Sequence, residues 1–196
     1  MGRVVAAAVY SAGKKVTNIS LDEGATWAAK PGHFVWIGLE HPGLEELTTL
    51  QRQFNLHELA IEDALEVHSR PKLETFGDAL FIVTYAPIRE NGKLIFIETH
   101  IFAGKGYVIT SRNGDSKSYG AVRQRCEARP LLLEHGEDFV LYALLTSSQR
   151  TTSRSLRPFT ASSKSLSTTC CARTSTSPTS TAFTPCGAIC CACAAM

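Results

Sequence analysis

FNLHELAIEDALEVHSRPKLETF, residues Phe54 to Phe76, is a helix followed by an abrupt stop. Leu56, Ala60, Ala64 and Val67 recur at steps of three and four, so one apolar face runs along a helix from about His57 to Val67. Pro71 ends it near Arg70, because proline disfavours a helical residue before it. Glu58, Glu62 and Glu66 stand four apart, and Asp63 adjoins them. Such a stripe brings several carboxylate oxygens within a few ångströms of one another, which is the donor set of a hard divalent cation such as Mg2+ or Ca2+. The competing account is a solvated acidic face, the usual condition of charge runs on helices. His57 and His68 flank the helix too far apart in sequence to form a helical ligand pair. Both are read as structural or surface residues, as are His33, His41, His100 and His135.

Upstream, Val4 to Tyr10 and Lys14 to Ser20 are β-compatible and meet at Ser11-Ala12-Gly13, which predicts a hairpin, and a strand is expected over His33 to Leu39. From Pro42 the spacing of Leu47, Leu50 and Phe54 predicts a surface helix, with Glu45 and Glu46 placed early where the helix dipole favours them. Downstream, Ala79 to Ala86 is almost continuously apolar and suits a central strand covered on both faces. Asn91-Gly92 marks a turn, Leu94 to Ala103 and Gly106 to Thr110 read as strands, and Gly104 and Gly106 bracket a turn between them. Helices are expected from about Ser116 to Ala128 and from Gly136, where Phe139, Val140 and Leu144 supply the apolar spacing. Five to seven strands with helices long enough to cover both faces predict a layered α/β domain.

The chain has 196 residues and a formal charge of +2, but residues 1–145 carry −3 and residues 146–196 carry +5. No basic stripe of a nucleic-acid binder is present. Cys126 is alone in the first part and six cysteines lie in the tail, which argues against a disulfide framework and for a reducing compartment. The start lacks the apolar length of a secretory signal, and Ala6 stands where a myristoylation motif takes Ser or Thr. The expected division is a domain over 1–135, the start of a long helix over 136–145, and a low-complexity tail over 146–196. In that tail 22 of 51 residues are Ser or Thr and none is acidic, and its uncharged end is too rich in Ser, Thr and Pro for a membrane span. Cysteines 186, 190, 191 and 193 match no standard zinc spacing. Read one base earlier, degenerate codons turn the same string into a charged helical sequence, so an out-of-frame translation is the expected origin of the tail, beside a genuine disordered tail or a metal-binding one.

Nothing in residues 1–145 carries enzyme chemistry: there is no phosphate loop, nucleophile elbow or zinc-protease helix. Cys126 lies in the arginine-rich RQRCEAR without a nearby His or Asn, and is read as a lone helix thiol.

The Phe54 to Phe76 string resembles the signature of the cytosolic domain of the CorA family of magnesium and cobalt transporters: Leu-x-x-Glu-Asp on a helix, then a Val-His-x-Arg-Pro-Lys turn into a strand. WIGLEHPGLEEL at Trp36 to Leu47, FIVTYAP, YVITSR and GEDFVLYALL extend the resemblance over about residues 1–145. It implies a three-layer α/β/α domain with a mixed sheet, on the cytosolic face of a homopentameric transporter for Mg2+, Co2+ or Ni2+, and no enzyme. It also implies that Glu62 and Asp63 hold a low-affinity regulatory Mg2+ or Co2+ between neighbouring subunits, while Glu58 and Glu66 are weaker candidates that rest on the helix spacing alone. Two transmembrane helices and a Gly-Met-Asn loop have no counterpart in this chain, so membrane attachment and conduction are expected to lie outside it. Zinc-transporting relatives share the architecture. The alternative expectation is a free-standing cytosolic module that binds metal or protein.

Overall fold

The computed structural model describes residues 2–66, 70–90, 93–113 and 119–153. The predicted N-terminal hairpin is present as β1 (Arg3–Ser11) and β2 (Lys14–Asn18), turning at Ala12 and Gly13, which both have positive φ. Two left-handed residues in succession match the twist of the flanking strands. Ser20 then opens a short 3-10 turn, its N–H donating to Glu23 Oε2 at 2.9 Å, and α1 (Gly24–Ala28) follows. β3 (His33–Glu40) returns antiparallel to β1. After α2 (Leu44–Phe54) and α3 (Glu58–Leu65), an antiparallel meander is built from β4 (Lys72–Phe76), β5 (Ala79–Glu90), β6 (Lys93–Gly104) and β7 (Tyr107–Asn113). α4 (Gly120–Glu127), α5 (Pro130–Leu133) and α6, helical over residues 137–153, complete the described chain.

One seven-stranded sheet results, in the order β2-β1-β3-β7-β6-β5-β4. Its single parallel pair is β3 with β7, in register from Val35 opposite Tyr107 to Glu40 opposite Arg112. Alternation along each strand then divides the core in two. Ala7, Val9, Val35, Ile37, Phe81, Val83, Phe102 and Ile109 pack on one face against Leu47 and Leu50 of α2 and Ala60, Ile61 and Ala64 of α3. Ala8, Tyr10, Phe34, Trp36, Ile82, Ile101 and Val108 pack on the other against Val122, Cys126, Leu133, Val140 and Leu144. The start of β5 reads as a nearly unbroken apolar run because both faces are covered. This is the three-layer α/β/α arrangement expected from the sequence.

Three details differ from the expectation, and two expected features lie wholly or partly outside the described residues. The second helix stops at Leu65 rather than Val67: Glu66 has φ −91° and ψ 156°, an extended backbone, and residues 67–69 lie outside the described residues. The apolar strand at Ala79 is next to the sheet edge rather than central, and it runs on to Glu90. The helix expected from Ser116 is described from Gly120 onward, and the Asn91-Gly92 turn lies outside the described residues. The composition boundary at 145 is not a structural one. α6 continues through residue 153, where Ser148 is buried and donates its hydroxyl to Leu144 O at 3.3 Å. The rest of the tail, including its cysteines, lies outside the described residues.

Gly106 has a φ of +81°, and a Cβ there would lie 2.6 Å from the carbonyl oxygen of Ala28. Gly106→Ala is therefore expected to destabilise the fold by more than about 1 kcal/mol. Truncating Leu50, fully buried on the inner side of α2, to Ala is expected to remove about 2–5 kcal/mol. Urea denaturation of both variants checks these values, and an unchanged midpoint for either contradicts the packing described.

Candidate metal site

α3 is positioned by its two ends. Asn55 adopts a left-handed conformation (φ 51°) that closes α2. His57 then caps α3, its Nδ1 accepting from the Leu59 N–H at 3.2 Å while its ring stacks on Phe76 at 4.2 Å between centroids. With Ala60, Ile61 and Ala64 turned into the core, Glu58 and Glu62 are left one turn apart in solvent. Glu66 follows the last helical turn, so the stripe inferred from four-residue spacing holds two members of the helix rather than three. Asp63 points sideways to the sheet and is half-buried in an ion pair with Lys72 of β4. Lys72 Nζ also reaches Glu74 Oε1 at 3.0 Å.

The hydrogen bond that Lys72 donates to the Asp63 carboxylate is the main cause that lifts the Lys72 ammonium above the ordinary lysine range, and burial opposes it. A raised pKa in the folded state means that the contribution of this pair is complete below the unfolded value and is lost as the pH climbs through the folded one. The tie between α3 and β4 is therefore intact at neutral pH.

Among the described residues no group of three or more His, Cys, Asp or Glu is arranged to hold a metal ion. Glu62 and Asp63 are neighbours on α3 but diverge, one into solvent and one towards Lys72. A divalent cation takes six or more oxygens, so one bound by this pair needs donors beyond α3, from water or from another chain.

A buried polar network escaped the sequence reading. His100 is fully buried, with Nε2 3.1 Å from Glu98 Oε1 and Nδ1 3.3 Å from Ser111 Oγ, while the Tyr85 hydroxyl donates to Glu98 Oε1 at 3.1 Å. Burial, reinforced by the Glu98 charge, pushes the Tyr85 hydroxyl up to about 12. The signal was available: Glu98 and His100 are alternate residues of a strand that is otherwise apolar on that side. On the opposite face Arg123 lies 4.2 Å from the Trp36 ring and donates to Tyr10 Oη at 2.9 Å and to Trp36 O at 3.2 Å, fastening α4 to the sheet. Cys126 is buried on α4, and burial raises its thiol despite Arg125 and Arg123. An inert core thiol fits this better than a reactive one.

A family model described as "CorA-like Mg2+ transporter protein" matches residues 31–170. The chain belongs to this family. It is 31% identical over 110 residues to the "Putative metal ion transporter YfjQ" of Bacillus subtilis (strain 168), covering 56% of this chain and 34% of that protein. The structure of the full-length CmaX protein aligns with a TM-score of 0.67 at 17% identity, covering 90% of this chain and 54% of that one. The soluble domain of CorA from Methanocaldococcus jannaschii aligns with a TM-score of 0.58 at 22% identity, covering 86% of this chain and 65% of that one. These two likenesses speak for the fold, a mixed sheet between helical layers. This CorA-like chain thus spans only part of the length of each relative. No helix among its described residues is long and apolar enough to cross a membrane.

Cys126 is expected to resist iodoacetamide at mildly alkaline pH in the folded chain and to react once urea unfolds it. Peptide-level mass spectrometry checks this, and rapid labelling of Cys126 without denaturant contradicts the burial.

Proposed function

We propose that this chain supplies the regulatory, cation-sensing domain of a divalent-cation transporter, with Mg2+ or Co2+ as the sensed ion and Glu62 and Asp63 as its ligands. The observation that carries the reading is the placement of α3 in a chain of the CorA-like family: a short acidic helix, pinned to the sheet through Asp63, that presents the Glu62 carboxylate to solvent. Because α3 alone supplies too few donors, the remaining ligands are assigned to water and to a neighbouring copy of the chain in a homopentamer. Glu58 is near enough to add to the field. Glu66, beyond the helix end, is a weaker candidate than its spacing implied.

In this reading the domain lies on the cytosolic side of the membrane, and conduction belongs to segments outside the described residues. At about 4 Å, like charges repel by roughly 1 kcal/mol in water and about 4 kcal/mol at a partly screened protein surface. A bound divalent ion replaces that repulsion across a subunit boundary with attraction and favours the closed assembly. When the cytosolic cation falls, the repulsion returns and the assembly loosens.

Cation binding at a concentration of about five times Kd adds about 1 kcal/mol of stability, roughly 2–4 °C in melting temperature for a domain of this size. Millimolar Mg2+ or Co2+ is expected to raise the melting temperature of the full chain by this order, and Glu62→Ala combined with Asp63→Ala is expected to abolish the rise. Differential scanning calorimetry measures both. A rise of equal size in the double variant would sink the assignment.

A further inference from the structure

The space beside Asp63 already holds a positive charge. Lys72 Nζ is paired with Asp63 and lies 3.0 Å from Glu74 Oε1, so one ammonium is shared by a carboxylate of α3 and a carboxylate of β4. The lysine side chain is only 31% exposed, and its partner Asp63 19%, so solvent screens the pair less than an ion pair on the open surface. We infer that Lys72 is a built-in counter-ion that competes with the divalent cation for Asp63 and sets the concentration at which the site fills. The inference rests on the assignment of Asp63 as a cation ligand.

Two physical consequences follow from the geometry. An incoming divalent ion that takes an inner-shell oxygen of Asp63 must first displace the ammonium bonded to that carboxylate, since both need the same lone pairs. Displacing it also separates Lys72 from one of its two carboxylates, so the affinity of the site is lowered by the whole strength of the pair. Such competition weakens the site, so that it empties when the free cation falls. It also keeps Asp63 and Glu74 from repelling each other while the site is empty, so α3 stays in place in that state. The same ammonium therefore performs two tasks, holding the helix and raising the threshold.

Replacing the lysine by a neutral side chain removes the ammonium that Asp63 and Glu74 share, and a divalent ion then has no Lys72 charge to displace. Lys72→Gln, or Lys72→Met with its apolar stem kept, is expected to lower the half-saturating cation concentration about tenfold. Lys72→Arg retains the charge and is expected to stay near the parent value.

The test uses Co2+ as a paramagnetic probe, following the backbone amide signals of α3 and β4 in the full 196-residue chain. Signals of these two elements are expected to shift at about tenfold lower Co2+ in Lys72→Gln and Lys72→Met, at the parent concentration in Lys72→Arg, and not at all in Asp63→Ala. If the two neutral variants titrate with the parent while Asp63→Ala is silent, the site stands and the role given to Lys72 is overturned. If Co2+ leaves α3 unshifted in the parent and in every variant, the site itself fails and the inference falls with it.

Discussion

The parallel contact between β3 and β7 is the constraint on which the rest of the domain depends. The N-terminal hairpin with β3, and the meander from β4 to β7, are each antiparallel and locally connected, and only this pair joins them. It is closed along its length by more than ladder bonds. The Val35 N–H donates to Gly106 O at 2.9 Å at one end, the His41 N–H donates to Arg112 O at 2.9 Å at the other, and the Thr110 hydroxyl reaches Ile37 O at 3.2 Å between them. Arg112 Nη2 adds a 2.6 Å bond to Glu40 Oε1 across the two strands. Loop closure between strands so distant in sequence is entropically unfavourable, and the two continuous apolar cores on either side of the pair offset it.

That seam also explains where α3 lies. α2 and α3 lie between β3 and β4 in sequence, and the parallel pairing puts those strands on opposite sides of β7, so both helices are laid across one face of the sheet. α3 reaches β4 at the sheet margin, where Asp63 meets Lys72. The acidic helix is thereby anchored by one carboxylate and free to present others. Its capping by His57 and the left-handed Asn55 fix its direction independently of any metal.

Much of this was legible in the residues. Strands showed as apolar runs because both faces are covered, and α2 showed as a stripe because one of its sides is wet. α1 and α5, of five and four residues, are too short for any periodicity to register. β4 alternates half-buried and exposed positions over only five residues, and its existence was inferred from the family resemblance rather than from its pattern. The carboxylate spacing follows the helix through Glu58 and Glu62 but not to Glu66, because the backbone turns extended at Glu66 while the sequence period continues past it. The ties from Asp63 to Lys72 and from Glu98 to His100, Tyr85 and Ser111 depend on which strands are neighbours, and no local pattern encodes that. Likewise a change in composition at residue 145 looked like an end, whereas Ser148 shows that small hydroxyl residues can continue a helix if they bond to its own backbone.

The two margins of the sheet have a consequence for how the sheet ends. β2 is exposed at all five positions, two of which are Lys14 and Lys15, and β4 at the far side carries Lys72 and Glu74 within its five residues. A foreign strand seeking to add itself to either margin encounters short, charged partners, the arrangement by which natural sheets resist fibre growth and edge-to-edge clumping. Each sheet therefore ends where its own strands end.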